Sequence, residues 1–391
     1  MAIDRETVLE IGRLEDPLGV LSVYVDADPS QQASERPAWQ VTVGNELKKV
    51  QERARSEGPR ERRTAVLEAI DGLDADLRSL LDPGEPGRGR ALFATLAGGA
   101  VRSVALQLAL PTRVVLERKA YIRPLVAVLE GGRPTGLATV SRSGVRLLEW
   151  QAGEVESLAE LDFEEATDDW REMKGPAGAN PSYAQQTAPQ HDRFERRLDD
   201  KRARFLGSVA RRLQSLAVER GWGRILIAGD RRLTEPLEQA LDGDRELIVT
   251  DRSLEALDGA ELAEAVAADL ERSTRERSAE LAERARGAAL AGGPGALGLA
   301  DTLTSLAEGR VAHLLFDQGR DYRGARAQDG RLFPEGVSAP GLAASELVAE
   351  PLLGERMIER ALETGAEVTP LTDPEAELLA DCGGVAAILR W

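Results

Sequence analysis

The sequence is poor in the residues that carry most covalent and metal chemistry. One cysteine, Cys382, and two histidines, His191 and His313, stand among 391 residues. A lone thiol excludes an intramolecular disulfide framework and a multi-cysteine zinc site, and two imidazoles exclude a histidine-rich metal site. The same scarcity leaves almost no Ser-His-Asp arrangement, and no GxSxG elbow occurs. Aromatic residues make up only 4%. No uninterrupted apolar run approaches a membrane span, and "MAIDRETVLEIGRL" lacks the basic start and apolar stretch of a signal peptide. A cytoplasmic protein with no membrane partner is therefore expected. Positive charge is in deficit as well: the formal net charge of −17 argues against wholesale sheathing of nucleic acid, so any RNA contact must be local.

The glycine-rich pieces "GEPGRGR" (84–90) and "GGPGALG" (292–298) lack both the GK[ST] ending of a P-loop and a strand directly before a GxGxxG turn. They read as turns and caps, and no cofactor is called for. Adjacent acids such as Glu164 with Glu165, or Asp168 with Asp169, read as a solvated face of an acidic chain. Cys382, before an apolar strand, reads as a packed or turn thiol, and His313, inside "VAHLLFD", as a satisfied structural histidine.

What is present is an ordinary globular composition rich in Ala, Leu, Arg, Glu and Gly, long enough for two or three cores. The run "VLSVYVD" (20–26) reads as a strand, helical spacing follows over 38–55 and 60–81, and "ALFATL", "VRSVALQLAL" and "TRVVLE" read as strands. Residues 123–151 read as three short strands opening a second domain. "RILIAG" and "ELIVTD" flank a helix and predict a parallel pair. A long charged helix from about 258 to 290 leads into a last α/β segment ending in "VAAILRW".

The charge changes sign twice in the middle of the chain. From Glu154 to Glu172 nine acids face only Arg171, whereas from His191 to Arg220 nine Lys or Arg residues face five acids. Between the blocks lies the loop "KGPAGANPSYAQQTAPQ" (174–190). The basic block predicts a helix with an apolar stripe through Phe194, Leu198, Phe205, Val209, Leu213 and Leu216. His191, at the junction, reads as a helix N-cap or surface residue. Gln185, Gln186 and Gln190 are neutral amides able to position water or a carbonyl. Behind them Arg193, Arg196, Arg197, Lys201, Arg202 and Arg204 suit phosphate contacts. A neutral tip on a cationic stalk suits an RNA-lined cavity, and the same residues equally describe a surface loop before a snorkelling helix.

Taken as an ordered set, "RPLVAVLEGG", "HDRFERRLDDKRARFLGSVARRL", "LADTLTSLAEGRVAHLLFD" and "GGVAAILRW" resemble the archaeal and eukaryotic class 1 peptide-chain release factor superfamily, which includes Pelota, the Vms-like release factors and bacterial relatives such as Balon. "VLSVYVD" is similar to the bacterial branch. The resemblance implies an α/β (α+β) fold in three domains: 1–122, an N-terminal α/β domain; 123–256, a middle domain with a mixed sheet, the loop and the long basic helix; and 257–391, a small α/β sandwich resembling kink-turn-binding ribosomal proteins.

It also implies a partner, the ribosomal A site with its rRNA and peptidyl-tRNA, and a translational GTPase as a further one. In that family a Gly-Gly-Gln tip promotes hydrolysis of the peptidyl-tRNA ester. The matching stretch here is the 174–190 loop, which holds Gly175 and Gly178 but no Gly-Gly-Gln. No NIKS-like or YxCxxxF-like segment occurs, so reading of a stop codon is not expected. Three functions follow as expectations: peptide release or ribosome rescue through one of the glutamines, non-hydrolytic ribosome hibernation, or a stress-associated adaptor off the ribosome.

Overall fold

The computed structural model describes residues 3–27, 37–163, 184–241, 243, 245–337 and 342–391, with the backbone alone for 184–197, 199 and 344. It is a mixed α/β structure whose contacts divide into two compact units, Met1–Gly132 with Glu271–Trp391, and Arg133–Leu270.

The first unit opens with helix α1 (Arg5–Gly12) and strand β1 (Glu15–Asp26), followed by α2 (Ala38–Ser56), α3 (Arg60–Gly72) and α4 (Asp74–Leu80). Strands β2 (Gly89–Thr95), β3 (Val101–Leu106) and β4 (Arg113–Lys119) complete an antiparallel sheet in the order β3-β2-β1-β4. Alternation along β1 sorts its side chains. Leu21, Val23 and Val25 pack with Trp39, Val43, Val66 and Ile70 of the helices, whereas Val20 and Tyr24 join a second core with Leu125 and Phe316. Asp16 shapes the irregular start of β1: buried, it accepts from the amides of Leu18, Gly19, Ala97 and Gly98.

The stretch 123–131, expected as a strand, is helix α5 (Arg123–Gly131). Its Val-rich composition reads as β, but Pro124 suits a first helical turn. The deciding partner lies 232 residues away: Glu355, wholly buried, accepts from the amides of Ile122 and Arg123 and from Arg123 Nε at 2.9 Å. The Arg123 guanidinium also donates to the carbonyls of Gln318 and Arg320 and lies 5.6 Å from the Phe316 ring centre. Gly354 leaves room for it, since a Cβ there would stand 2.4 Å from Arg123 Nη2.

In the second unit, β5 (Thr135–Val140), β6 (Gly144–Gln151) and β7 (Glu154–Asp162) form an antiparallel meander. Helix α6 (Ala184–Glu219), β8 (Arg224–Ala228), α7 (Arg231–Ala240) and β9 (Glu246–Thr250) follow. The strand order is β7-β6-β5-β8-β9, and β8 and β9 form the expected parallel pair, with β5 also parallel to β8. Helix α8 (Gly259–Leu290) contains the boundary between the units.

The first unit then resumes with β10 (Gly295–Leu297), α9 (Gly298–Ala307), β11 (Val311–Asp317), α10 (Leu353–Glu363), β15 (Glu367–Leu371) and β16 (Val385–Leu389), whose sheet runs β10-β16-β11-β15. The stretch expected to be irregular between β11 and α10 carries a small sheet of its own, β12 (Gly324–Ala327), β13 (Leu332–Pro334) and β14 (Leu347–Glu350), too short for periodicity to reveal. His313 is the satisfied core residue expected, its Nε2 2.7 Å from Thr369 Oγ1, and Cys382 Sγ lies 3.2 Å from the Leu379 carbonyl.

Candidate nucleic-acid interface

Helix α6 is built on a broader apolar stripe than expected. Leu206, Val209, Ala210, Leu213, Leu216 and Ala217 are buried against Ala138, Val140, Leu147, Ile225 and Ile227 of the sheet and Leu237 of α7. The predicted Phe205 is half-buried at its edge, 5.4 Å from Phe163 between ring centres. The C-terminal end is fixed by Trp222, which donates to Glu149 and covers Gly136, where a Cβ would meet its ring at 2.3 Å. Arg220 bonds Glu149 and Glu156 at 3.3 and 2.9 Å, so this arginine belongs to the fold. The edge strand β7 presents exposed Glu154, Glu156, Glu160 and Asp162, charges that deter edge-to-edge pairing.

Opposite the stripe, positions 201, 204, 208, 211 and 215 follow one another by three and four residues and form the outer line of the helix. Arg204 and Arg211 are exposed, as is the flanking Arg212. Arg204 donates only to the Asp200 carbonyl of its own helix, at 3.2 Å, and among the described residues no carboxylate pairs with any of the three. Arg202 differs: half-buried, its guanidinium lies 5.2 Å from the Phe163 ring centre. Lys201 is half-buried and also engaged within the protein.

Two further exposed cations, like Arg211 and Arg212, were not singled out in the sequence. Arg231 and Arg232 open α7 and are exposed, directly after the carboxyl end of β8, with Asp230 capping the helix by accepting from the Arg232 amide at 2.9 Å. Helix α6 returns into β8 through a short turn, so the two run in opposite directions. Arg211 and Arg212 lie about 11 Å back from the helix end at 1.5 Å per residue, and β8 advances about 16 Å at 3.3 Å per residue. Arg211, Arg212, Arg231 and Arg232 thus stand near the same end of the layer. The sequence signal for this pair was available: two adjacent arginines behind an apolar strand and a capping aspartate, with nothing acidic in the first turn.

The expected loop splits in two. Residues 174–183 lie outside the described residues, whereas the backbone of 184–190 is already helical, so positions 185, 186 and 190 belong to α6. His191, expected as a helix N-cap or a surface residue, lies within the helical backbone and so is not its N-cap. Arg193, Arg196 and Arg197 are placed on α6 by their backbone alone. The spacing 186, 190, 193, 197 continues the line of 204 and 211, while 185 falls off it.

Residues 121–275, which contain the second unit, match the family model of bacterial archaeo-eukaryotic release factor family 10. That is the superfamily the sequence motifs resemble. Over 247 residues the chain is 22% identical to the uncharacterized protein YocB of Bacillus subtilis, covering 62% of this chain and 90% of that protein. Among solved structures it is similar to Archaeoglobus fulgidus Pelota (16% identity, 78% and 79% of the two chains, TM-score 0.35) and to Saccharomyces cerevisiae Dom34 (8% identity, 78% and 79%, TM-score 0.37). Among the described residues no cluster of three or more His, Cys, Asp or Glu could hold a metal ion, and no helix is long and apolar enough to cross a membrane.

Proposed function

We propose that this release-factor-like protein binds the ribosome and presents α6 to ribosomal RNA in the A site. The observation that carries the reading is the outer line of α6, where Arg204 and Arg211, with Arg212 beside them, have no carboxylate partner among the described residues of a chain with a net charge of −17. In so acidic a protein, cations left without acids are available to phosphate oxygens, and local potential rather than total charge governs such contacts. The family match over 121–275 supports the same reading.

The test is co-sedimentation with 70S ribosomes at two salt concentrations. The wild type is expected to pellet with ribosomes at low salt, and Arg204→Glu with Arg211→Glu is expected to abolish this. Pelleting unchanged by the double reversal contradicts the proposal.

On the chemistry, the helical backbone at 184–190 favours a non-hydrolytic role, because it places positions 185, 186 and 190 within a helix and not in a loop. Hibernation is therefore preferred to peptide release. Ribosomes carrying labelled peptidyl-tRNA are expected to keep their label when the protein binds. Release that disappears in Gln186→Ala or Gln190→Ala would reverse that preference and assign rescue.

A further inference from the structure

A second arginine cluster lies in the other unit, in a cleft of about 250 Å³ between the edge of the N-terminal sheet and helices α2 and α3. Its floor is aliphatic: Leu18, Val50, Ala54, Val66 and Leu116. Its rim carries Arg53, Arg62, Arg63 and Arg118 against Glu57 and Glu117. The ion pairs distribute unevenly over these arginines. Arg53 is neutralised by Glu57 at 2.9 Å and Glu117 at 3.4 Å, and Arg118 by Glu15 at 2.7 Å. Among the described residues Arg62 reaches only the Leu18 carbonyl, at 3.4 Å. Arg63 is half-buried, and among the described residues its guanidinium has neither a hydrogen bond nor an ion pair.

Arg63, half-buried with no partner among the described residues, and the exposed Arg62 next to it keep donors uncommitted to any carboxylate, and guanidinium forks of this kind suit a phosphate. The aliphatic floor, which a free phosphate would leave unused, suits a planar ring. The volume falls below the roughly 300–1,000 Å³ of pockets for drug-sized ligands, so a single nucleotide unit is the fitting size.

We propose that this cleft binds one nucleotide, its phosphate on Arg62 and Arg63 and its base on the Val50, Ala54 and Val66 floor. The site is independent of α6 and stands whether or not the protein binds ribosomes. The nucleotide is either free or one unit of an RNA chain.

Isothermal titration of the full-length protein with AMP, with a five-nucleotide uridine RNA and with inorganic phosphate tests it. AMP and the RNA are expected to bind, with inorganic phosphate at least tenfold weaker. Arg62→Gln with Arg63→Gln is expected to weaken both organic ligands at least tenfold, and Ala54→Glu, which fills the floor with a negative charge, to do the same by a different route. Arg102→Gln, an exposed arginine outside the cleft, is expected to change nothing. Tighter binding of the RNA than of AMP assigns the polymer as the source, and equal binding the free nucleotide. The proposal is overturned if neither binds the wild type, if both variants bind as the wild type does, or if inorganic phosphate binds as tightly as AMP.

Discussion

Arg123 and Arg211 carry the same guanidinium in opposite circumstances. Arg123 is buried, bonded to Glu355 and two carbonyls, and flanked by Tyr121, Phe316 and Tyr322. Arg211 is exposed on the outer line of α6, and among the described residues no carboxylate pairs with it. The first arginine has its donors committed to the fold, so changing it should change stability. The second has its donors exposed to solvent, so under the proposed function changing it should change binding and leave the fold intact. Arg63 stands between the two cases, half-buried yet without a partner among the described residues.

The sharpest way to break the contrast is at Glu355. Glu355→Ala leaves the Arg123 charge buried and the Ile122 and Arg123 amides unpartnered, which costs about 3–5 kcal/mol for a broken buried pair. Urea unfolding followed by tryptophan fluorescence should show a loss of that size. A shift as small as that of a surface substitution would mean that the pair contributes specificity and little stability. Replacing both partners, Arg123→Met with Glu355→Leu, should recover most of the loss, because no orphaned charge remains.

A smaller effect is expected at Asp16, which among the described residues carries no ion pair and is held by backbone amides. Burial opposes its charge, but the amides of Gly98, Leu18, Ala97 and Gly19 together keep its carboxyl below the usual range. A carboxylate whose folded pKa lies below its unfolded value of about 3.9 contributes stability above that pH and loses it as the pH falls through the folded value. Asp16→Asn should therefore cost roughly 1–3 kcal/mol at pH 7, the range for leaving buried donors unsatisfied. The gap between variant and wild type should narrow below about pH 4. An unchanged gap at pH 3 would show that the carboxylate charge is not what the amides hold. The smallest effect belongs to the exposed Arg102–Glu10 pair at 2.9 Å, where Arg102→Ala should leave the unfolding midpoint within experimental error.

The same contrast explains what was legible in the sequence. Elements with a single strong period were readable: β1, the helices over 38–80, α6, and the β8–α7–β9 unit all follow from alternation or helical spacing. Helix α5 was not, because its Val-rich run resembles a strand and the group that completes its first turn, Glu355, is 232 residues away. The small β12–β13–β14 sheet was hidden by strands of three and four residues. In the site, composition identified α6 as cationic, but it treated Lys201, Arg202 and Arg204 alike. Packing separates them, turning Arg202 onto Phe163 and leaving Arg204 outward. Arg231 and Arg232 were missed because they lie outside the basic block, after β8 and at the start of the next helix. The glutamines were read as part of a loop because Gly178, Pro181 and Pro189 break the apolar pattern, yet the helix begins at Ala184 and continues through Pro189.

The central claim is that the outward arginines of α6 answer to phosphate. The most direct measurement is the affinity for 70S ribosomes as a function of salt, for the wild type and for Arg204→Gln with Arg211→Gln. The logarithm of affinity should fall linearly with the logarithm of salt concentration, and the double variant should lower that slope by about 2, close to 1 for each phosphate contact removed. Identical slopes and affinities for the two proteins would contradict the account.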